Sequence, residues 1–556
     1  MDIPQFLRAL RASVLRCFRD RWLRQILCWC LPALILGVLL RGTLLVRMPN
    51  AFYHPDSYTV FETSRALVAD GSFHIHPKKT ALTPLLYIIP HAAHIPVLPA
   101  IALVQHALGL LLIVFVGLLV AHSFHWWRLF IVPATTLVAV DPAILWYEHM
   151  CVPELLYILL VTAIALTGLL FYKQPGKITI VTFLICLFLT AAARPEGKLW
   201  CLFGVALFAG VYWQDKKRMT IAVGCMLLFT SLCFVLNRTS QSGSLFYSNV
   251  AHLTPERLSV APGFVESNKD YFDDLRERWK VVPTRIPRER RTLMKRVLTY
   301  LANQGHTTAP TSRQADKLCA RMAAETCLRS LPSLPSLAVM KFRYGLNEPT
   351  AEDFGAHWVY RKQFAAFVGR AEDTDEFIEE NSSADAFTKL VFGREFDSHG
   401  EVSEYLHQVY QPFDPDWLTQ YSAWFQRVIL AARLPDSRLT STDLIPGLPL
   451  LLVAAALGLL AQAVRERRGA NYYYLWLGAL LVMVFILSLT GSNKGRFRTV
   501  LEPFCFLYAL ALLDVAMAWV ASFFRRREAC ARAIPTITLE LQPPPPAPQP
   551  SGPLNS

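Results

Sequence analysis

The sequence predicts an all-α, multi-spanning membrane protein, and three observations lead there. Hydrophobic residues make up 53% of the 556 and charged ones only 17%, with a mean hydropathy of +0.32, too apolar for a water-soluble chain of this length. Apolar runs near the ~20 residues needed to cross a bilayer recur roughly ten times. Positive charge gathers at the ends of alternate runs, as expected where short loops stay on the cytoplasmic side. Together these predict a bundle of about ten transmembrane helices, with interfacial helices in a first outer loop and a mostly helical outer segment.

In chain order the runs lie at 25–46, 97–121, 126–141, 152–171, 178–193, 198–213, 219–236, 445–464, 471–490 and 499–522. The third and fifth are short and are expected to be tilted, broken or partly re-entrant. Before the first lies a basic cytoplasmic N-terminus, 1–24, with Arg8, Arg11, Arg16, Arg19, Arg21 and Arg24. No small-residue cleavage site follows, so this run reads as a retained helix. With the N-terminus inside, Lys173 and Lys177, then Lys216, Lys217 and Arg218, then Arg465, Arg467 and Arg468, and finally Arg525, Arg526 and Arg527 all fall on the cytoplasmic face. Those loops account for most of the net charge of +13 without any nucleic-acid partner. The expected divisions are a transmembrane module at 25–236 with outer loop 47–96, an outer segment at 237–444, C-terminal spans at 445–522 and a Pro-rich disordered cytoplasmic tail at 523–556.

Most of the twelve cysteines fall within the runs and read as apolar filler. Cys319 and Cys327 lie in polar sequence, but at helical rise they would stand ~12 Å apart, too far to bridge. No HExxH or paired CxxC spacing occurs, so no obligatory cofactor is expected. A divalent metal has only the histidines of the outer loop in its favour, His54, His74, His76, His91 and His94, and these read as solvated or ligand-contacting.

Two short outer connections break the charge rule. AAARPEGK holds Arg194 and Lys198, and GSNKGRFR holds Lys494, Arg496 and Arg498. A cation kept near the membrane on the disfavoured side costs roughly 1–3 kcal/mol unless an anion pairs with it. The outward carboxylates Asp56, Glu62, Asp70, Asp141, Glu148 and Glu154 are candidate partners, as are lipid head groups. Acids and bases from distant parts of the chain are thus expected to meet at one membrane face.

The stretch HPDSYTVFETSRALVADG reads as a short helix at that face. Pro55 stands near its start, Asp56 or Ser57 is the N-cap, and Gly71 supplies the stop. Asp56 is either that cap or a carboxylate held for chemistry. Glu154 follows Pro153 at the start of a span, where an acid complements the helix dipole. Glu148 and His149 share the turn before it.

At this point the chain resembles a family. LLRGTLLVRMPNAFYHPDSYTVFETSRALVADGSF is similar to the first span and outer loop of the GT-C glycosyltransferases, and VAVDPAILWYEHMCVPELLYILL to their second outer loop. LTAAARPEG, CLRSLPSLPSLAVMKFRYG and GRFRTVLEPFCFLYALALLD match later segments in order. Within that superfamily it resembles the bacterial lipid A and core-sugar transferases, the rhizobial galacturonosyltransferase type included, and the protein mannosyltransferases. At the motif in the first loop the chain carries the single acid Asp56, where some relatives have two adjacent acids.

The resemblance implies an inverting transfer of a sugar from a polyprenyl-phosphate donor to a lipid, glycan or protein acceptor, at the periplasmic face of the inner membrane. It gives Asp56 the role of base. Arg194, Lys494, Arg496 and Arg498 would hold the donor phosphate, because arginine forks match phosphate oxygens. His54, Glu148 and Glu154 would contact the acceptor or orient other groups. From the residues alone, a transporter of lipid-linked sugars and a membrane-anchored sensor built on the outer segment stay open.

Overall fold

The computed structural model describes residues 20–47, 49–51, 63–64, 66–69, 71, 82–93, 95, 97–151, 153–236, 242–281, 286–304, 310–347, 421, 424, 447–466, 472–490 and 496–533. Helices make up nearly all of them, with no β-sheet among the described residues. Each expected apolar run contains a helix. In order these are α1 (Arg21–Arg47), α4 (Val97–Ser123), α5 (Trp127–Val140), α7 (Glu154–Lys173), α8 (Lys177–Ala193), α9 (Trp200–Val211), α10 (Lys216–Leu236), α16 (Gly447–Glu466), α17 (Tyr472–Thr490) and α18 (Arg496–Ala533). Short helices α2 (Leu82–Leu86) and α3 (Ile88–Ala92) precede α4, and α6 (Pro142–Glu148) follows α5.

By length and composition, five of the described helices can cross a membrane, or six if α5 and α6 count as one span bent by 54°. The third run, 126–141, forms the single helix α5, and a bend follows just past its end. Its cause is local: Pro142 opens α6 and the Asp141 side chain accepts from the N–H groups of Ala143 and Ile144, restarting the helix on a new axis. The apolar helices are those of a multi-pass membrane bundle. At about 18 Å for its twelve residues, α9 does not span a bilayer by itself.

The packing has α7 at its centre, buried along almost its whole length and touching α4, α8, α9, α17 and α18. Aromatic rings fill the space between α9 and α17, with Trp200 stacked on Trp476 at 5.0 Å and Phe203 set edge-on to it at 5.1 Å. One end of the bundle is clamped by Asp514 of α18. It accepts from the backbone N–H of His125 (3.0 Å) and of Trp126 (2.7 Å), in the α4–α5 turn, and from Arg465 (2.9 Å). Gly458 lies against Tyr508, and Gln462 and Arg465 against Asp514, so α16 and α18 run parallel. Their first turns therefore lie at the opposite end, together with the end of α1, the start of α4, the α5–α6 bend and the start of α7.

The described part of the outer segment is helical, as expected: α11 (Ser242–Val250), α12 (Lys269–Val281), α13 (Ile286–Asn303), α14 (Ser312–Arg329) and α15 (Leu334–Asn347). It has its own core of Tyr247, Phe264, Phe272, Leu293, Val297 and Met322. Cys319 and Cys327 both lie on α14 and are unbridged. In the first outer loop residues 66–69 are helical and Gly71 has a φ of 64°, the left-handed stop that a glycine supplies. The C-terminal helix continues to Ala533, into the region expected to be tail.

Candidate functional site

Two buried ionic clusters occupy the end of the bundle opposite the Asp514 clamp. The first is built around Glu148, which is fully buried at the end of α6. One carboxylate oxygen accepts from the Arg41 guanidinium of α1, and the other lies 2.8 Å from His106 Nδ1 of α4. The second His106 nitrogen, Nε2, lies 3.1 Å from His149 Nδ1. Arg41 also donates to the carbonyls of Gly37 (3.2 Å) and Ala139 (3.3 Å). Space for the carboxylate comes from Gly109, one turn after His106, where a Cβ would fall 1.9 Å from the nearer Glu148 oxygen.

The second cluster joins α7 to the connection after α8. Arg194 donates to Glu154 at 3.0 Å and to Glu196 at 3.2 Å, and lies over the Tyr157 ring at 5.7 Å. Burial pulls the Arg194 pKa down, but Glu196 and Glu154 more than offset that and hold it above its ordinary value. The connection folds tightly because Gly197 abuts the backbone: a Cβ there would sit 1.9 Å from the Thr190 carbonyl oxygen. Trp200 donates to the Tyr157 hydroxyl at 3.0 Å, and Lys198 lies over Phe234 at 5.8 Å. Tyr87, between α2 and α3, accepts from Gln105 of α4 at 3.4 Å. Burial, then the nearby Cys151, push the Tyr87 hydroxyl well above its ordinary pKa.

Several of the expected site residues are therefore brought together: Glu148, Glu154 and Arg194 share this end. Arg194, expected as a phosphate ligand, is held by two carboxylates. Arg496 and Arg498 fall in the first turn of α18, a helix start at the same end; their side chains are outside the described set. Asp56, His54 and Lys494 lie outside the described residues altogether. Two members escaped sequence reasoning, Arg41 and His106. For Arg41 the signal was available, an arginine inside an apolar run. For His106 it was the glycine three residues on, which opens a notch that the Glu148 carboxylate fills.

Beside this end is a groove of about 570 Å³ lined by apolar side chains of α15, α16, α17 and α18, among them Val339, Leu452, Leu477, Phe485, Leu501 and Phe504. Leu501 is three residues beyond Arg498. Among the described residues no group of three or more His, Cys, Asp and Glu is disposed to hold a metal ion. Compared with known proteins, the chain matches no family model and no curated relative.

Proposed function

We propose that the chain is an inverting glycosyltransferase that moves a sugar from a polyprenyl-phosphate carrier to a lipid, glycan or protein hydroxyl at the outer face of the inner membrane. One observation carries the reading. A lipid-sized apolar groove is lined by Leu501, three residues beyond Arg498, at the end of the bundle that gathers the buried acid–base clusters. Such a groove suits an isoprenoid tail, and cations close in sequence to its lining suit the phosphate that follows it.

In this reading Asp56 takes the proton from the acceptor hydroxyl, which attacks the anomeric carbon from the face opposite the phosphate. A positioned carboxylate base contributes about 10² to 10⁴ in rate. Arg496, Arg498 and Lys494 take up the charge that develops on the departing phosphate. Arg194 and Glu154 brace the start of α7 against the connection after α8, and Glu148 orients its neighbours rather than meeting the acceptor. His54 adjoins Asp56 in sequence and would contact the acceptor.

The test is transfer from labelled polyprenyl-phosphate sugars to candidate acceptors by purified protein. Asp56→Asn should lower transfer about 100-fold or more with an unchanged unfolding temperature. Equal transfer by wild type and variant would remove Asp56 from the mechanism. A second reading, proton-coupled transport of a lipid-linked sugar, draws on the buried titratable chain of Arg41, Glu148, His106 and His149. It predicts movement of labelled substrate across proteoliposomes that Asp56→Asn leaves intact.

A further inference from the structure

Two thiols meet where α9 packs on α10. Cys201 and Cys233 are both fully buried, and each side chain lies within hydrogen-bonding reach of the other. Neighbouring contacts give the reason. Lys198, just before α9, stands over the Phe234 ring at 5.8 Å, and a Cβ at Gly204 would fall 2.9 Å from the Met226 side chain. The two helices, joined through residues 212–215, therefore run antiparallel in a fixed register. Cys201 lies one turn from Gly204 on the same face of α9, and Cys233 lies two turns from Met226 on the same face of α10. That register sets the two thiols opposite each other, and the glycine lets the helices come close enough for them to touch.

Their place along the helices decides which surroundings they meet. Cys201 is the second residue of α9, and Cys233 stands about 4.5 Å along the axis from the last residue of α10. The other end of α10 carries Lys216, Lys217 and Arg218, which the positive-inside rule puts in the cytoplasm. The thiols are thereby at the periplasmic end, beside the connection that holds Arg194. Cytosolic thiols are kept reduced, whereas the periplasm is oxidising.

We propose that Cys201 and Cys233 are joined as a disulfide in the membrane-inserted protein, tying α9 to α10 at the outer face. The inference rests on the outward orientation of this end and not on sugar transfer. The oxidant is a periplasmic protein disulfide. One cysteine, as its thiolate, attacks a sulfur of that disulfide, forming a mixed disulfide and releasing the first oxidant thiolate. The second cysteine then attacks its partner's sulfur and releases the other. One sulfur–sulfur bond forms and one breaks, the oxidant gains two electrons, and the two cysteine protons end on its thiols. The exchange precedes the packing of α9 and α10, because the packed thiols have no exposed surface. Two sulfurs already in contact need close only to the bond length of about 2.0 Å. The bond closes a loop through the α9–α10 hairpin and fixes the connection bearing Arg194 and Lys198 to the end of α10.

The test counts thiols in the full-length protein. Inner membranes are quenched in acid, denatured, and alkylated with one maleimide before reduction and a heavier one after it, for wild type, Cys201→Ala and Cys233→Ala. In wild type, Cys201 and Cys233 should carry the second label alone, and an unreduced digest should contain their two peptides joined and lacking two hydrogens. In each variant the surviving cysteine should move to the first label. As mere apolar filler, both cysteines would carry the first label in wild type, and that result overturns the disulfide; so does either one joined to a different cysteine. If a variant does not accumulate, the wild-type labels and the joined peptide decide alone. Sugar transfer by wild type whose two thiols both take the first label overturns the disulfide and spares the transferase reading. Joined peptides in protein that transfers from no polyprenyl-phosphate sugar overturn the transferase reading and leave the disulfide standing.

Discussion

Gly109 decides whether Glu148 can be buried at all. Any side chain there would meet the carboxylate at 1.9 Å, so Gly109→Ala should drive Glu148 out of reach of Arg41 and His106. Separating a buried pair by removing one partner costs about 3–5 kcal/mol, and Glu148→Ala should match Gly109→Ala within about 1 kcal/mol if the pair is what both disrupt. Gly42 is a control on α1, with open space where its Cβ would be. Gly42→Ala should be neutral or stabilising by about 0.5–1 kcal/mol. Thermal unfolding in detergent reads all three. At this scale the sequence was only partly legible. Glu154 and Arg194 were found from their places at a span start and a rule-breaking loop. Their mutual pairing across forty residues, and that of Arg41 with Glu148, needed the helices in place, because no local pattern encodes which buried charges become neighbours.

Among the elements, α18 ties the two halves of the bundle. Asp514 is fully buried and receives two backbone N–H groups and a guanidinium. Asp514→Ala leaves all three without that acceptor and should destabilise by about 3–5 kcal/mol, read as a lower unfolding temperature. Such a dense acceptor was hidden in an apolar run where a single Asp looked incidental. The helices themselves were legible in every run, because apolar length is a strong signal; the bend after α5 was foreshadowed only by the shortness of the third run.

The α15 helix belongs to two places at once. Leu334 and Leu337 join the outer core, while Ala338 and Val339 face the groove. Lys341, one turn on, is fully buried and donates to the Asn249 backbone and side-chain oxygens, each at 3.1 Å, with the Trp279 ring 4.9 Å away. Burial pulls its pKa down to about 7 from an ordinary 10.5. Between those values the unfolded chain holds a proton that the folded chain has released, so stability rises with pH across that window. Amide protection of α11–α15 in the intact protein, corrected for intrinsic exchange, should therefore increase from pH 7 toward 10.5, and Lys341→Met should flatten the rise. Burial, then Lys341, pull the stacked His252 down to about 3 from 6.5, so its contribution is lost as pH falls through that lower window.

For the whole molecule, the ends of the bundle differ in character. The Asp514 end carries Lys173, Arg465 and the α4–α5 turn, whereas the opposite end carries the two ionic clusters. The positive-inside rule assigns the first to the cytoplasm. A cysteine placed at Gln174 should then react with a membrane-impermeant maleimide only after the inner membrane is opened, and one at Ile95 should react in spheroplasts; the reverse pattern would invert the topology. The grouping of α15–α18 around one apolar groove was not legible, since it depends on an outer-segment helix returning to the membrane bundle. That return follows from the apolar face of LPSLPSLAVM, which needs cover on both sides.

Because the groove is walled by apolar side chains of α15, α16, α17 and α18, the lipid-linked donor proposed above would enter it sideways from the bilayer without crossing bulk water. The quantity that governs occupancy is then the mole fraction of that amphiphile in the membrane. Diluting the vesicles with buffer should leave the turnover rate unchanged, whereas adding inert phospholipid at constant volume should slow it.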